Sequence, residues 1–310
     1  MSNILIIKHG SLGDLIQANG AMEDIKKSFK DSRVFLLTTK PYVDLMSACP
    51  YLDGVITDKR LPRWNIFYLL KLKEVLDRFK FTHIFDLQNS SRTKFYQNFL
   101  IKNAIWSTTQ TSLESGQTKK DFDRAPVLDR MIVQLNKSSV ETKNTKKINL
   151  KWAFTDMNRI IKQHTNGDYV LVFPFCSKKH LNKKWPYFKE LVRFIKDHYK
   201  NKYSVLVAPG PGELIDSKNL NAKVVLDGDK PIDLNQLISL IENSKYIISN
   251  DTGPAHICCH LDKKGIVLFG NHTTAAKVSI ESSNFKSKTV NDLKDLKLSS
   301  VIEIVKENLD

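Results

Sequence analysis

The sequence predicts an α/β protein made of two doubly wound domains, and three observations lead to this prediction. The chain has 310 residues, which exceeds the ~250–300 residues at which single cores stop growing. Short aliphatic runs alternate with segments whose apolar residues recur every three or four positions, as in strands followed by amphipathic helices. The alternation fades near residues 116–147 and then restarts. We therefore place an N-terminal domain at residues 1–150 and a C-terminal domain at residues 151–310.

The first domain opens with a strand, a glycine turn and a helix. Residues 4–7 are an apolar strand, and residues 10–14 form the turn. One apolar stripe marks the helix that follows, formed by Leu15, Ala18, Met22, Ile25 and Phe29. Further strands are predicted at 34–37 and 82–87, and further helices at 64–79 and 127–135. Strands connected through helices pair in parallel, so this half is expected to be doubly wound.

The second domain repeats the same alternation. The predicted strands are residues 169–173, 204–208, 224–226, 246–249 and 265–269, with helices at 187–199 and from 234. A capping box of Ser300 and Glu303 predicts the start of the last helix. This helix is expected to close the second domain or to pack back on the first.

Composition excludes fibrous and disordered chains and limits the partners. Hydrophobic residues make up 41% and charged residues 26%, as in globular proteins. Lys+Arg 48 against Asp+Glu 33 gives a net charge of +15, which favours nucleic acid, a phosphorylated substrate or an acidic membrane surface. No apolar run approaches the ~18 residues of a spanning helix and no signal peptide is visible, so a cytoplasmic location is expected. The four cysteines lack metal-site spacing and are interpreted as small buried apolar residues.

A turn with phosphate-binding character follows the predicted strand at 246–249. Pro254 suits the first turn of a helix, and Gly253 allows close approach to the backbone N–H groups there. Those N–H groups and the positive end of the helix dipole favour an anion. The same residues also suit an ordinary strand–helix connection, capped by Asp251 or Thr252.

Two other loops of the second domain carry polar groups at strand ends. The basic loop 177–186 contains Lys183 and Lys184, either of which can reach a diphosphate, and its Trp-Pro exit is expected to anchor it. Glu213, in the loop after the next strand, can accept hydrogen bonds from ribose hydroxyls. A solvated loop and an ordinary turn are the respective alternatives.

In the first domain, Asp14 opens the first helix. Its carboxylate can cap the helix or take a proton from an incoming hydroxyl, and the two roles compete because the dipole weakens the base. Arg60 and Arg63, in a basic loop before the helix at 64–79, can clamp a carboxylate or phosphate in pairs of hydrogen bonds. Arg92 is a further residue of this kind. Surface solubility is the alternative for all three.

Four motifs occur together in order: Gly-x-x-Gly-Asp at 10–14, Asp-Leu-Gln at 86–88, Lys-Lys-Trp-Pro at 183–186 and Asp-Thr-Gly-Pro-x-His at 251–256. The set resembles glycosyltransferase family 9, the ADP-heptose:lipopolysaccharide heptosyltransferases. The resemblance implies a GT-B architecture, in which two Rossmann-like domains face each other across a cleft. The second domain would hold the donor and the first the acceptor. The family's Pro-Thr-rich run is replaced at residues 271–274, which leaves the identities of donor and acceptor open.

The resemblance also implies residue roles. Asp14 would be the catalytic base of a single inverting displacement that needs no metal or other cofactor. The implied donor-binding residues are Ser177, Lys183, Glu213, Asp251, Thr252, Gly253, Pro254, Ala255 and His256. The implied acceptor-binding residues are Gly13, Arg60, Arg63 and Arg92. Heptose would pass from ADP-heptose to a lipopolysaccharide core acceptor, at the inner face of the cytoplasmic membrane. The association would be peripheral, since no long amphipathic anchor helix is apparent.

Other functions remain open from the sequence. A transferase of the same fold can use another nucleotide sugar, or can have lost its activity. A non-catalytic basic module that binds nucleic acid or a nucleotide would explain the charge, although no nucleic-acid motif or dense basic–aromatic stripe supports it. An oxidoreductase is disfavoured by the absence of G-x-G-x-x-G after a strand. Asp-x-Asp at 121–123 and at 227–229 is interpreted as turns, so no metal site is expected.

Overall fold

The computed structural model describes residues 2–177, 179–200 and 202–310 and divides the chain into two compact units. These units are Met1–Trp152 and Ala153–Asp310. Each has its own parallel sheet and its own apolar core. The predicted α/β class is therefore confirmed.

The first unit contains a five-stranded parallel sheet. In chain order its elements are β1 Asn3–Ile7, α1 Leu12–Ser28, β2 Arg33–Thr38, α2 Val43–Ser47, β3 Gly54–Thr57, α3 Ile66–Asp77, β4 Phe81–Asp86, α4 Ser91–Phe99, β5 Ile105–Ser107, α5 Thr109–Ser112, α6 Lys119–Phe122 and α7 Val127–Lys137. The strand order is β3-β2-β1-β4-β5, with all neighbours parallel. The winding changes direction between β1 and β4, and open α/β sheets bind ligands at the carboxyl ends of such strands.

Helix α3 starts two residues later than predicted. Asn65 is its N-cap, and the Asn65 side chain accepts a hydrogen bond from the Tyr68 N–H at 3.0 Å. Its inward side chains, Leu69, Leu72 and Leu76, pack in the core of the first unit. The cap fixes the point at which the preceding loop becomes helix.

The second unit contains a six-stranded parallel sheet and a small antiparallel ribbon. Its elements are α8 Asn158–His164, β6 Tyr169–Phe173, α9 Phe188–Tyr199, β7 Ser204–Val207, α10 Leu214–Lys218, β8 Lys223–Val224, β9 Leu226–Asp227, β10 Lys230–Pro231, α11 Leu234–Glu242, β11 Tyr246–Asn250, α12 Gly253–His260, β12 Gly265–Phe269, β13 Phe285–Thr289 and α13 Leu298–Leu309. The sheet order is β13-β12-β11-β6-β7-β8, and β9 pairs with β10. Here the winding changes direction between β6 and β11.

The last helix, α13, starts earlier than its predicted capping box. Its N-cap is Lys297, so Ser300 and Glu303 lie within the helix and the predicted box is wrong. Leu298 packs against the core, and this extends the apolar stripe back by one turn. Val301, Val305 and Leu309 are buried in the second unit's own core. The apolar face of α13 is thus buried within the second unit.

Burial of the cysteines follows the prediction at three positions and differs at one. Cys49, Cys258 and Cys259 are buried, and burial raises the pKa of the Cys49 thiol to about 11 and that of Cys259 to about 12. Cys176 is only half-buried, because it lies in the loop after β6.

No helix within the described part of the chain combines the length and the apolar character needed to cross a membrane.

Candidate functional site

The loops after β1 and β4 meet at the switch point of the first sheet. The Lys8 ammonium donates a hydrogen bond to the Leu87 carbonyl at 2.9 Å. The N–H of His9 donates to Oε1 of Gln88, also at 2.9 Å. Burial lowers the pKa of Lys8, and the nearby charge of Asp14 opposes that shift. These bonds fix the two loops against each other.

Asp14 lies in the first turn of α1, as predicted. Its Oδ2 accepts hydrogen bonds from the Ser11 N–H at 2.8 Å and from the Ser11 hydroxyl at 3.0 Å. Its Oδ1 lies 3.8 Å from the Lys8 ammonium, and the side chain is 43% exposed. Gly13 is buried in the same turn. The carboxylate therefore caps the helix while remaining open to solvent.

Gly10 allows an aromatic ring to approach this turn. Its φ is +110°, and a Cβ there would lie 2.3 Å from Cε2 of Tyr42. Burial raises the pKa of Tyr42, the charge of Asp14 adds to that rise, and the charge of Arg60 opposes it. Tyr42 thus lies within electrostatic range of the predicted base and of a predicted acceptor-binding arginine.

A buried network that the sequence analysis missed lies at the end of β3. Oδ2 of Asp58 is 2.8 Å from Nε2 of His9 and accepts a hydrogen bond from the Tyr96 hydroxyl at 2.7 Å. Oδ1 accepts from the Tyr68 hydroxyl and from the Arg60 N–H. Burial alone would raise the pKa of Asp58, but these hydrogen bonds outweigh it and hold the pKa well below its usual range. Asp58 is therefore charged, and it holds the start of the basic loop before α3 through the Arg60 N–H.

Arg92 lies beside the basic loop and contacts its main chain. Its guanidinium donates to the carbonyls of Leu61 at 2.9 Å and Arg60 at 3.3 Å, and to the Tyr96 hydroxyl at 3.0 Å. The guanidinium of Arg63 lies over the ring of Phe95, 5.9 Å from its centroid. The structure thus brings the three predicted arginines together, with Arg92 engaged in holding the loop.

In the second unit, Lys183 and Asp251 form an ion pair. The ammonium nitrogen is 2.6 Å from Oδ2 of Asp251. The side chain of Asp251 is almost fully buried, whereas that of Lys183 is one-quarter exposed. Nε2 of His272, which the sequence analysis did not select, lies 2.9 Å from the same oxygen. Asp251 therefore holds two cationic or hydrogen-bonding groups at the carboxyl ends of β11 and β12.

Asn250 fixes the position of the second unit's basic loop, residues 177–186, relative to the pair of Lys183 and Asp251. Its Oδ1 accepts a hydrogen bond from the Trp185 N–H at 3.1 Å, and its Nδ2 donates to the Pro174 carbonyl at 2.8 Å. The indole N–H of Trp185 donates to the Leu296 carbonyl at 2.9 Å, and its ring is fully buried. Both ends of the loop are thus attached, which places Lys183 next to Asp251.

The predicted phosphate turn is the start of α12. Thr252 is the N-cap and Gly253 and Pro254 form the first helical residues. Ala255 is buried, and its N–H donates to the Thr252 carbonyl at 3.0 Å, while His256 is half-buried. Because Asp251 directly precedes the cap, Lys183 is placed beside the positive end of the helix.

Two further predicted donor residues lie in neighbouring loops. Oε2 of Glu213 accepts a hydrogen bond from the Gly210 N–H at 2.7 Å, and burial raises the pKa of Glu213. Ser177 is exposed, and its hydroxyl accepts a long hydrogen bond of 3.4 Å from the Lys179 N–H. Burial raises the pKa of Cys176, whose thiol lies within electrostatic range of Glu213 and Lys183. The charges of Glu213 and Lys183 thus both act on the Cys176 thiol, which lies in the loop that also carries Ser177.

Both Asp-x-Asp strings have structural partners. Asp121 accepts a hydrogen bond from the Thr118 hydroxyl at the start of α6, and Asp123 pairs with Arg130 at 2.8 Å. Asp227 pairs with Arg159 at 2.7 Å. These carboxylates cap a helix and form ion pairs.

Three solved structures show the fold of this chain in other proteins. E. coli heptosyltransferase WaaC, solved with ADP, is 15% identical over 99% of both chains, with a TM-score of 0.72. E. coli ADP-heptose lps heptosyltransferase II is 17% identical over 100% of this chain and 98% of that chain, with a TM-score of 0.73. A glycosyltransferase family 9 protein from Veillonella parvula is 16% identical over 99% and 88%, with a TM-score of 0.72. The likeness confirms the GT-B fold class.

No curated protein matches the chain. The family model described as glycosyltransferase family 9 (heptosyltransferase) matches residues 69–297, which is about three-quarters of the chain. The predicted family is therefore confirmed, because the family model covers more than half of the chain. The chain belongs to glycosyltransferase family 9, the heptosyltransferase family.

Proposed function

We propose that this glycosyltransferase moves a heptose-type sugar from a nucleoside diphosphate donor, with ADP-heptose as the first choice, to a hydroxyl of a lipopolysaccharide core acceptor. The observation that carries the proposal is the ion pair of Lys183 and Asp251 beside the N-terminus of α12. An ammonium group and helix N–H groups together suit a diphosphate. Relatives of the same fold, solved with ADP and with ADP-2-deoxy-2-fluoro heptose, support this choice of donor.

The second unit binds the donor in this proposal. Lys183 contacts the diphosphate, and Thr252 and the N–H groups of the first turn of α12, through His256, surround it. Glu213 accepts hydrogen bonds from the ribose hydroxyls. Ser177, at the other end of the loop that carries Lys183, also contacts the donor. Asp251 keeps the ammonium in place and lies near the transferred sugar.

The reaction is a single displacement with inversion. Asp14 takes the proton from the acceptor hydroxyl, whose oxygen then forms a bond to the anomeric carbon. The bond from that carbon to the phosphate oxygen breaks, and its electron pair leaves with ADP. Lys183 and the helix N–H groups stabilise the charge that develops on the leaving group, so the proposal requires no metal.

The acceptor in this proposal is anionic and lipid-linked, and the enzyme meets it at the inner face of the cytoplasmic membrane. Arg60 and Arg63 are both exposed and can bind its carboxylates or phosphates, while Arg92 holds their loop. The net charge of +15 favours such a polyanionic partner.

Calorimetric titration tests the donor. ADP, GDP, UDP and NAD are each added to the full chain in a chelating buffer, and we expect selective binding of ADP. Preference for UDP or GDP would retain the transferase and change the sugar nucleotide. Absence of nucleotide binding would contradict the proposal and favour a basic module without catalysis.

Asp14→Asn tests the base. The amide oxygen can still accept the hydrogen bonds from Ser11, so the fold is expected to persist. Loss of the proton acceptor should lower turnover of ADP-heptose and deacylated core by about 10²- to 10⁴-fold, with ADP affinity unchanged. Asp44→Asn is the matched control, since Asp44 also lies in the first turn of a helix in the first unit. Normal turnover by Asp14→Asn would show that another group acts as the base.

A further inference from the structure

Several large apolar side chains are exposed together around the start of α3. Trp64 is 84% exposed and Phe67 is 88% exposed. Leu61, Ile66 and Leu70 are exposed as well, and we call these five residues the α3 apolar patch. Exposed apolar clusters of this kind are uncommon on the surfaces of soluble monomeric proteins and mark interaction sites.

The patch is confined to the loop and to the first two turns of α3. The opposite face of the helix carries the leucines that pack in the core, so the exposed residues are not needed there. Beyond Leu70 the outward positions become polar, at Lys71, Glu74 and Asp77. The apolar surface thus ends at a charged border within the same helix.

The charged residues nearest the patch are positive. Between residues 59 and 73 the sequence has five Lys or Arg residues and no Asp or Glu. Lys59, Arg60, Arg63 and Lys71 of this segment are exposed. Apolar and aromatic side chains surrounded by cations complement a bilayer surface that carries anionic headgroups, since the cations bind phosphates while the rings enter the interface.

The main chain that carries the patch is held in place by hydrogen bonds. The Asn65 N–H donates to the Pro62 carbonyl at 3.0 Å, and the Asn65 side chain caps α3. Arg92 contacts the Leu61 carbonyl, and Asp58 accepts from the Arg60 N–H. A backbone that is already ordered loses little further conformational entropy on docking.

We propose that the α3 apolar patch, with its border of Lys59, Arg60, Arg63 and Lys71, docks the enzyme on an anionic lipid bilayer. The inference rests on the proposed function in one respect: a lipid-linked acceptor is located at the bilayer, so the enzyme must bind there to reach it. Trp64 and Phe67 enter the interfacial region, and the four cations contact lipid phosphates around them. The predicted acceptor-binding arginines then lie at the membrane surface, next to the saccharide.

Sedimentation with vesicles tests the surface. The full chain is mixed with vesicles of phosphatidylcholine alone or with added phosphatidylglycerol, and we expect binding only to the second kind. Trp64→Ala with Phe67→Ala should weaken this binding roughly tenfold or more, because both side chains lose their burial in the interface. Lys71→Glu should weaken it by roughly fivefold or more. Ile215→Ala is the control, since Ile215 is 80% exposed on α10 of the second unit.

Tryptophan fluorescence locates the contact. Trp106 and Trp185 are buried and Trp152 is half-buried, so Trp64 is the indole most open to a bilayer. Its emission should shift to the blue on anionic vesicles and be quenched by brominated lipids. Trp64→Phe should bind the same vesicles almost normally but lose both signals.

Three results would overturn the proposal. These are failure of the wild-type chain to bind anionic vesicles, unchanged binding by the double alanine variant, and a lipid-free dimer that this variant disrupts. The dimer would identify a second copy of the chain as the occupant. Titration of both the wild-type chain and the double variant with ADP keeps the two proposals separate, because the double variant should bind ADP normally. Vesicle binding by a wild-type chain that binds no nucleotide would retain the docking surface and contradict the proposed function.

Discussion

Replacing Lys183 by alanine gives the sharpest test of the proposed donor site. The ammonium lies 2.6 Å from the buried carboxylate of Asp251, so the variant removes a cation and leaves that negative charge facing an incoming diphosphate. A hydrogen bond to a charged group contributes about 1.5–3 kcal/mol. The structure favours the upper part of this range, since Lys183 is three-quarters buried and poorly screened. ADP affinity should therefore fall by about 30- to 150-fold.

Lys184→Ala is the matched control for this experiment. Lys184 is the next residue of the same loop and carries the same charge, but it is exposed. Its removal should weaken ADP binding by no more than about threefold, as expected for a screened surface charge. Both variants are titrated calorimetrically in chelator, after circular dichroism has shown that they are folded. Equal losses in the two variants would refute the reasoning, since they would mean that net charge, and not contact with Lys183, attracts the nucleotide.

Three further predictions concern stability. Asp58→Asn should lower the free energy of unfolding by about 2–3 kcal/mol in urea, because several buried donors lose a charged acceptor; a loss below about 0.5 kcal/mol would contradict the network. Burial and a nearby histidine lower the pKa of His260 from 6.5 to about 3. Between these values the unfolded chain binds a proton that the folded chain does not, so stability falls with decreasing pH. Between pH 7 and pH 5 the free energy of unfolding of His260→Phe should therefore fall by about 2 kcal/mol less than that of the wild type. Wild-type and variant curves of unfolding free energy against pH that run parallel would argue against this. Gly10→Ala should destabilise by at least about 2 kcal/mol because its Cβ would meet Tyr42, whereas Gly116→Ala, with φ +77° and open space, should lose about 1 kcal/mol; similar melting temperatures for the two would rule out the clash.

The central strands were predictable because they are continuous apolar runs. Residues 4–7 and 169–173 are buried on both faces of a parallel sheet, which leaves little room for polar residues. The edge strands β5 and β13 gave no such signal. β5 has three residues, and β13, Phe285–Thr289, alternates a single buried phenylalanine with lysines and serine. Their pairing depends on a neighbouring strand that the local sequence does not reveal.

The loops proposed to bind the donor could be selected from the sequence because each carries its polar groups within one segment. Lys183 lies in a basic loop and Asp251 before a Gly-Pro helix start, and the shared sheet edge brings the two together. The pair of His9 and Asp58 could not be found this way. The two residues are 49 positions apart and meet only through the register of β1, β2 and β3. His272 was visible only as a departure from the family's usual run.

The basic loop before α3, in the first unit, is held through its main chain. Arg92 contacts two of its carbonyl oxygens, and Asp58 accepts from one of its amides. The side chains at 61–64 take no part in these bonds, so substitutions there leave the shape of the loop intact. Natural variation at these positions can therefore change the surface that the loop presents, while its main-chain contacts stay the same.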